Sequence, residues 1–178
     1  YAVLFVIGIL VPRTVDRGVA APPATAIAVN VALLGVFAAQ HTIMARPAFK
    51  RWWTRIVPPA VERSTFVLAA SAALGLLCWQ WRTIDETVWG IGQPIARAAV
   101  WTVAAVGWLT VLATTFMINH FELFGLQQVF THWQGRRFTG TGFRTPLLYR
   151  LVRHPMMLGF LLAFWAAPTM TAGHLLFA

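Results

Sequence analysis

Long apolar segments constrain this chain more than any other feature of its sequence. Residues 24–44, 65–81 and 97–119 are each apolar and close to the roughly 20 residues that a helix needs to cross a hydrocarbon core. A fourth apolar run, residues 155–178, contains Pro168, which removes a helical hydrogen bond, so we expect a hairpin of two helices there. These lengths predict an all-α polytopic transmembrane bundle of about five crossings.

Composition indicates the same class of protein. Of the 178 residues, 58% are hydrophobic and only 11% are charged. The single cysteine, Cys78, lies in an apolar run, which excludes a disulfide framework and a Cys-rich metal site. Residues 1–178 are expected to form a single domain that is truncated at both ends. The first apolar run is too short to span a membrane, and the last stops without a charged flank.

The distribution of basic residues predicts the orientation of the bundle. The net charge is +9, but no long basic tract is present, so nucleic acid is not an expected partner. Residues 45–64 contain five basic residues, whereas residues 82–94 contain one arginine and two acidic residues. Residues 120–154 are also rich in arginine. Because short cytoplasmic loops carry the excess of Lys and Arg, both basic segments are predicted to face the cytoplasm.

Three further patterns predict anchoring and packing. Phe49, Trp52, Trp53 and Ile56 recur at helical spacing, opposite basic residues, and indicate an interfacial amphipathic helix. The tryptophans near segment ends, Trp81 among them, are typical of the aromatic belts of membrane proteins. Small residues at 71 and 75 form a small-xxx-small pair that favours the close approach of another helix.

The segment TPLLYRLVRHPMMLG, residues 145–159, carries the clearest functional signal. Arg153 and His154 precede Pro155, and proline is favoured in the first turn of a helix. The free N–H groups of that turn and the helix dipole attract anions, so a carboxylate or phosphate site is predicted. The alternative is that Arg153 and His154 only anchor the helix at the membrane boundary.

Five residues of this segment, Tyr149, Arg153, His154, Pro155 and Gly159, match the Y-x-x-x-R-H-P-x-x-x-G pattern of the isoprenylcysteine carboxyl methyltransferase superfamily. Over three blocks in the same order, QHTIMARPAFKRWW, NHFELFGLQQ and LYRLVRHPMMLGFLLAFW, the chain resembles the bacterial methanethiol S-methyltransferases. Denitrification-associated NnrU-type membrane proteins share parts of the pattern. The resemblance implies methylation of a small volatile thiol, methanethiol to dimethyl sulfide, with S-adenosylmethionine as cofactor.

The same resemblance implies which residues form the cofactor site. Arg153 would hold the methionine carboxylate of S-adenosylmethionine. Met157 stands where the prenylcysteine enzymes usually have Tyr, and here the chain is closer to the thiol enzymes. The implied cofactor-binding residues are Gln134, Phe143, Arg144, Tyr149, Arg153, His154, Pro155, Met156, Met157 and Gly159.

Methylation of sulfur requires a thiolate, so a base that takes up the thiol proton is expected near the cofactor. Glu122 and His120 are the candidate catalytic residues, with His132 as a further candidate. Glu122 could instead pair with one of the two following arginines, at positions 136 and 137. Gln40 and His41 are assigned to the substrate pocket, and the alternative for His41 is an interfacial cap.

Other functions stay open at this point. The histidines do not stand at i, i+3 or i+4 spacing, so no metal site is predicted. A methyltransferase for a larger lipidic acceptor is one alternative. A non-enzymatic accessory or transport protein of nitrogen-oxide metabolism is another. The expected location is the bacterial cytoplasmic (inner) membrane, with the cofactor site facing the cytoplasm, a small thiol and the lipid bilayer as partners, and the oligomeric state undetermined.

Overall fold

The computed structural model describes residues 1–140 and 148–178, and helices dominate it. The helices are α1 (Ala2–Ile7), α2 (Pro23–Ala45), α3 (Pro47–Trp53), α4 (Glu62–Gln80, after a 3-10 turn at Pro59–Val61), α5 (Pro94–Ile118), α6 (His120–Leu123), α7 (Leu126–Trp133), α8 (Leu148–Leu151), α9 (Pro155–Trp165) and α10 (Ala172–Phe177). The strands are β1 (Val19–Ala20), β2 (Arg82–Thr83), β3 (Thr87–Gly90) and β4 (Thr169–Thr171).

The helical membrane fold predicted from the sequence is confirmed. Within the described part of the chain, three helices, α2, α4 and α5, are long and apolar enough to cross a membrane, and α9 is a shorter apolar helix. The fourth apolar run divides as expected near Pro168: α9 ends at Trp165, and β4 leads into the six-residue α10. The interruption therefore contains an extended segment as well as a turn.

Prolines begin the main helices. Pro23, Pro47, Pro94 and Pro155 each occupy the first turn of a helix, where the missing N–H leaves no hydrogen bond unmade. The helix predicted in the first basic segment forms as α3, although it ends before Ile56. Its position at a membrane interface stays a prediction.

Close helix packing occurs at Gly107 of α5 and Gly159 of α9. A Cβ atom on Gly159 would lie 2.9 Å from the carbonyl oxygen of Gly107 and 3.0 Å from the backbone nitrogen of Val111. Only glycine allows the two backbones to approach so closely. At the pair predicted at Ser71 and Gly75, no described helix makes such an approach, since Ser71 is exposed and no described atom lies within 4 Å of a Cβ placed on Gly75.

The buried core lies at one end of the bundle, where α1, β1–β4 and α10 meet the end of α4; we call this the core end. Its centre contains Phe5, Leu77 and Trp81, and the ring of Phe177 packs against Phe5 and Trp81 at centroid distances of 5.8 and 5.5 Å. Trp81 is only 2% exposed, and its indole N–H donates to the carbonyl oxygen of Val15. The assignment of Trp81 to an aromatic belt was therefore wrong.

Polar contacts also join different segments of the chain at the core end. The Thr171 hydroxyl donates to Asp16 at 2.5 Å and accepts from the backbone N–H of His174. The imidazole of His174 lies 3.9 Å from the Asp16 carboxylate and 3.1 Å from the carbonyl oxygen of Phe164. Burial lowers the pKa of His174, while the charge of Asp16 and the hydrogen bond to Phe164 act in the opposite direction.

Helix direction places the two basic segments together. Because α2, α4 and α5 follow one another across the bundle, residues 45–62, 119–140 and 148–155 fall at the end opposite the core end. We call this the basic end; it contains α3, α6, α7, α8 and the beginning of α9. The two ends thus separate the buried core from the predicted functional segments.

Candidate active site

The predicted anion-binding segment forms the start of an α-helix. His154 is the N-cap of α9, with φ −132° and ψ 67°, and Pro155 follows in the first turn. The backbone N–H of Leu158 donates to the carbonyl oxygen of His154 at 3.1 Å. The amides of Met156 and Met157 thus belong to the first turn, which carries the positive end of the helix dipole. Arg153 and His154 are exposed beside it.

The other predicted cofactor residues differ in their surroundings. Tyr149 and Met156 are half-buried, and Met157 is 67% exposed, so each has surface that a ligand can cover. Gln134 is exposed just after α7. Gly159 is buried against α5 and does not face this surface. Phe143 and Arg144 lie outside the described residues.

A second polar group surrounds Asn119, between α5 and α6. Its amide accepts from the backbone N–H of Glu122 at 3.3 Å and donates to the Glu122 carboxylate at 3.4 Å and to the side-chain oxygen of Gln127 at 2.9 Å. Asn119 adopts φ 86° and ψ 91°, a backbone conformation that non-glycine residues rarely adopt. This residue was missed in the sequence, although the N-x-x-E spacing to Glu122 is typical of a helix N-cap.

The chain returns to Glu122 after α7. A Cβ atom on Gly140 would lie 3.1 Å from the Glu122 carboxylate, so Gly140 packs directly against it. Pairing of Glu122 with Arg136 or Arg137, the alternative from the sequence, is not among the ion pairs of the described residues. Both arginines are exposed. They add positive charge to the basic end, in the chain segment that follows Glu122.

His120 is held mainly by aromatic neighbours. Its ring stacks on Phe116 at 4.6 Å with an interplanar angle of 10°, and it lies 4.7 Å from the ring of Phe124. The Nδ1 atom is 3.0 Å from the Thr115 hydroxyl. These contacts orient the imidazole and occupy one of its two nitrogen atoms. Proton transfer by His120 would use the other nitrogen.

Gln40 and His41 belong to a separate contact between α2 and α4. The Gln40 amide lies 3.5 Å from the carbonyl oxygen of Phe66, and the ring of His41 packs between Phe37 and Phe66. No hydrogen bond, ion pair or ring contact in the described ranges joins either residue to His154 or Glu122. The two predicted pocket residues therefore lie at the same end as His154 and Glu122, without a hydrogen bond or ring contact to either within the described part of the chain.

The α6–α7 segment is fastened to the start of α4. Arg63 donates to the carbonyl oxygen of Leu123 at 2.7 Å, and the Ser64 hydroxyl donates to that of Gly125 at 3.0 Å. Gly125 has φ 78°, and a Cβ atom there would lie 2.6 Å from the Ser64 hydroxyl oxygen. A left-handed backbone and this close approach both require glycine. The contact fixes α7 beside Asn119 and Glu122.

The arrangement allows two chemical tasks at the basic end. The start of α9 offers the exposed Arg153 guanidinium, the exposed His154 imidazole and first-turn amides, which suit an anionic group of a ligand. The Asn119 cluster offers a carboxylate whose orientation is fixed by hydrogen bonds, which suits proton transfer. These two groups lie within residues 119–157, and the described residues include no cluster of metal-ligating side chains.

A family model with the description "NnrU protein" matches residues 29–177. Among individual proteins, the chain is 62% identical over its full length to "Methanethiol S-methyltransferase" of Mycobacterium tuberculosis, and covers 73% of that protein. It is 52% identical over its full length to "Methanethiol S-methyltransferase 1" of Bradyrhizobium diazoefficiens and covers 62% of it.

A more distant similarity extends to animals. The chain is 29% identical to "Nurim" of Homo sapiens, a match that includes 92% of the chain and 63% of that protein. The chain thus spans between about three fifths and three quarters of the length of these relatives. No solved structure matches the chain.

Proposed function

The chain belongs to the NnrU family, and on that premise we propose that it performs the reaction for which its bacterial relatives are named, the S-methylation of methanethiol. The observation that carries this proposal is 62% identity to such a protein over every residue of the chain. The product is dimethyl sulfide. Residues 1–178 act as one domain in this proposal, since α9 packs on α5 and α10 returns to the core with α1 and α4.

S-adenosylmethionine is the proposed methyl donor, and the start of α9 is its proposed site. The cofactor carries a carboxylate, and the exposed Arg153 guanidinium beside the first-turn amides suits that group. His154 caps the same turn, and the exposed surface of Met157 and the half-buried ring of Tyr149 suit the apolar faces of the cofactor. Bound there, S-adenosylmethionine supplies an electrophilic methyl group on a sulfonium.

Other predicted residues keep proposed roles at this site. Gln134, Phe143 and Arg144 are proposed cofactor contacts from the preceding segment. Pro155 is buried and sets the start of α9, and Gly159 holds α9 against α5, so both shape the site instead of covering the ligand. Gln40 and His41 are proposed to line the route of the substrate.

The residues of the chain must supply a thiolate and hold it in line with the methyl group. In the proposed step, the S–H bond of the thiol breaks and its proton passes to a base. The sulfur forms a bond to the methyl carbon, and the old carbon–sulfur bond breaks with its electron pair on the donor. Glu122, oriented by Asn119, is the proposed base, and His120 supports it. Positioning supplies much of the acceleration in such a transfer.

The proposed location is the bacterial cytoplasmic membrane, with the basic end in the cytoplasm. Three of the described helices are long and apolar enough to span a bilayer, and the excess of basic residues at one end supports that orientation. Methanethiol is small and weakly polar, so it reaches such an enzyme readily through lipid.

The first experiment is calorimetric titration of S-adenosylmethionine into the detergent-solubilised full-length protein. We compare the wild type with His154→Ala and with the control Arg55→Ala, an exposed residue of the same basic end. We expect binding in the wild type and the control, and a loss of at least about tenfold in affinity in His154→Ala, because a charge-assisted contact is removed. A folded wild type that binds no S-adenosylmethionine would contradict the cofactor assignment.

The second experiment tests the reaction itself. Dimethyl sulfide in the headspace is measured after addition of methanethiol and S-adenosylmethionine to the same protein. Glu122→Gln keeps the shape of the side chain but cannot take up the proton, so we expect kcat to fall about a hundredfold, a usual contribution of general-base catalysis. Unchanged kcat in this variant would remove Glu122 from the catalytic role.

A further inference from the structure

An open groove lies along α7, next to the Asn119 cluster. It has a volume of about 860 Å³. Its wall consists of Leu126, Val129, Phe130 and Trp133, which recur at i, i+3, i+4 and i+7 on one face of α7. Phe130 is 55% exposed and Trp133 79% exposed. Such a row of exposed apolar side chains marks a surface that meets lipid or an apolar ligand.

One end of the groove is polar. Asn119 and Gln127 line it there, and their side chains are joined by the 2.9 Å hydrogen bond described above. The amide of Asn119 also contacts the Glu122 carboxylate. The polar end of the groove is therefore connected to the proposed base through a single side chain.

The backbone of Asn119 supports a functional role for this end. Its φ of 86° and ψ of 91° are costly for a residue with a side chain, by roughly 1–3 kcal/mol. Glycine would adopt this conformation without that cost. The Asn119 side chain, which is present despite this conformational cost, connects the groove to Glu122.

The apolar wall also continues toward the membrane-spanning helices. Phe121 lines the groove, its ring lies 5.9 Å from that of His120, and His120 stacks on Phe116 of α5. Phe116 is 61% exposed near the end of a helix that is long and apolar enough to span. A row of ring contacts therefore runs from Phe116 of α5 through His120 to Phe121 in the groove, and it gives an apolar molecule dissolved in lipid a path along aromatic faces.

We propose that the α7 groove binds the methyl acceptor, an apolar thiol that arrives through the bilayer, with its sulfur at the Asn119 end and its hydrocarbon part against Val129 and Phe130. This inference rests on the proposed function. The volume lies in the range of small-molecule sites and is far larger than methanethiol needs. The acceptor class therefore extends to longer alkanethiols, such as butanethiol.

The first test fills the groove. Val129→Trp places an indole against the wall, and Leu109→Trp is the matched control, because Leu109 is an exposed apolar residue of α5 outside the groove. For the full-length protein we expect KM for butanethiol to rise at least about tenfold in Val129→Trp, with unchanged affinity for S-adenosylmethionine. Unchanged KM in Val129→Trp overturns the inference, and the methyltransferase proposal stands.

The second test does not depend on turnover. Cys78 is the only cysteine, so Cys78→Ser provides a background for Val129→Cys and for Arg55→Cys as control. Butyl methyl sulfide resembles the product of butanethiol methylation and has no S–H group. It should slow maleimide modification of Val129→Cys and leave the modification rate of Arg55→Cys unchanged. Absence of protection overturns the inference. Protection that increases with protein concentration and not with thioether concentration also overturns the inference, because a second copy of the protein would then cover the groove.

A third variant separates the Asn119 side chain from its backbone. Asn119→Gly removes the amide and suits the positive φ, so we expect an unchanged or higher free energy of unfolding together with a fall of about tenfold in kcat/KM. A purely structural Asn119 would give unchanged kcat/KM. If the wild type methylates no thiol, the proposed function fails, and the protection measurement still decides whether the groove binds thioethers.

Discussion

The core end and the basic end of this molecule differ in the burial of their aromatic side chains. At the core end, Phe5 and Trp81 are buried together with Leu77, and side chains of distant segments are joined by hydrogen bonds. At the basic end, the fully described helices α3, α6 and α7 contain no buried residue. Aromatic side chains such as Trp133 are exposed there instead.

This difference predicts that the stability of the protein depends mainly on the core end and its function mainly on the basic end. Elements with many buried apolar contacts open last, whereas elements with exposed side chains have low local stability and often carry ligand sites. We therefore expect substitutions at the core end to change the free energy of unfolding. Substitutions at the basic end should mainly change binding and turnover.

The largest effect is expected from Trp81→Ala at the core end. The change leaves a cavity and removes the hydrogen bond to Val15, so we expect a loss of about 3–5 kcal/mol in the free energy of unfolding. Trp79→Ala is the matched control, since Trp79 is 59% exposed two residues away. Both are measured by chemical unfolding in detergent micelles. Equal losses in the two variants would show that the core end is not the stable part.

Gly159→Ala tests the contact that joins the two ends. The new methyl group would lie 2.9 Å from the Gly107 carbonyl oxygen, a backbone atom that cannot turn aside, so α9 must move from α5. We expect a loss of about 1–3 kcal/mol in stability and weaker S-adenosylmethionine binding in the same variant. Gly75→Ala is the control, because its Cβ meets nothing within 4 Å of the described atoms. Loss of stability without any change in binding would separate Gly159 from the site.

Gly125→Ala tests whether the contact between Gly125 and Ser64 stabilises α7 at the basic end. The left-handed backbone and the overlap with Ser64 should cost roughly 1–2 kcal/mol in the local stability of α7. Hydrogen exchange of the α7 amides is the measurement, and faster exchange in α7 alone is the expected result. Faster exchange at the core end as well would mean that the two ends unfold together.

The smallest effect concerns pH at the core end. Burial holds the folded-state pKa of His174 below its ordinary value, so the unfolded chain binds the proton first as the pH falls. Stability that is present at neutral pH should therefore decrease as the pH falls below about 6.5. In His174→Gln, the fall in unfolding temperature between pH 7 and pH 5 should be smaller than in the wild type. An equal fall in both proteins would assign the acid sensitivity to other groups.

Several features of the fold and the site follow from local sequence patterns. The spanning segments were predictable because length and hydropathy are properties of consecutive residues. The helix start at Pro155 was predictable for the same reason, since proline acts on its own backbone. The R-H-P segment was recognisable as a possible anion site, because Arg153 and His154 are adjacent to the turn that they reinforce.

Other features depended on contacts between distant residues. Trp79 and Trp81 look alike in the sequence, but one is exposed and the other is the centre of the core. The pair at residues 71 and 75 had the spacing for close helix packing, yet the packing occurs at Gly107 and Gly159. Spacing along a helix shows that a close approach is possible, and only the partner helix decides where it occurs.

The sequence by itself determined a helical membrane protein with basic segments at one end and a helix that starts at Pro155 beside Arg153 and His154, because these properties depend on neighbouring residues. The tertiary structure decided that Asn119 connects Gln127 to Glu122, that α7 presents an open groove, and that the core lies at the opposite end. Each of these depends on residues that are far apart in the chain or on a backbone angle such as that of Asn119. Local spacing can place an apolar face on α7, but it does not show that the rest of the bundle leaves this face open.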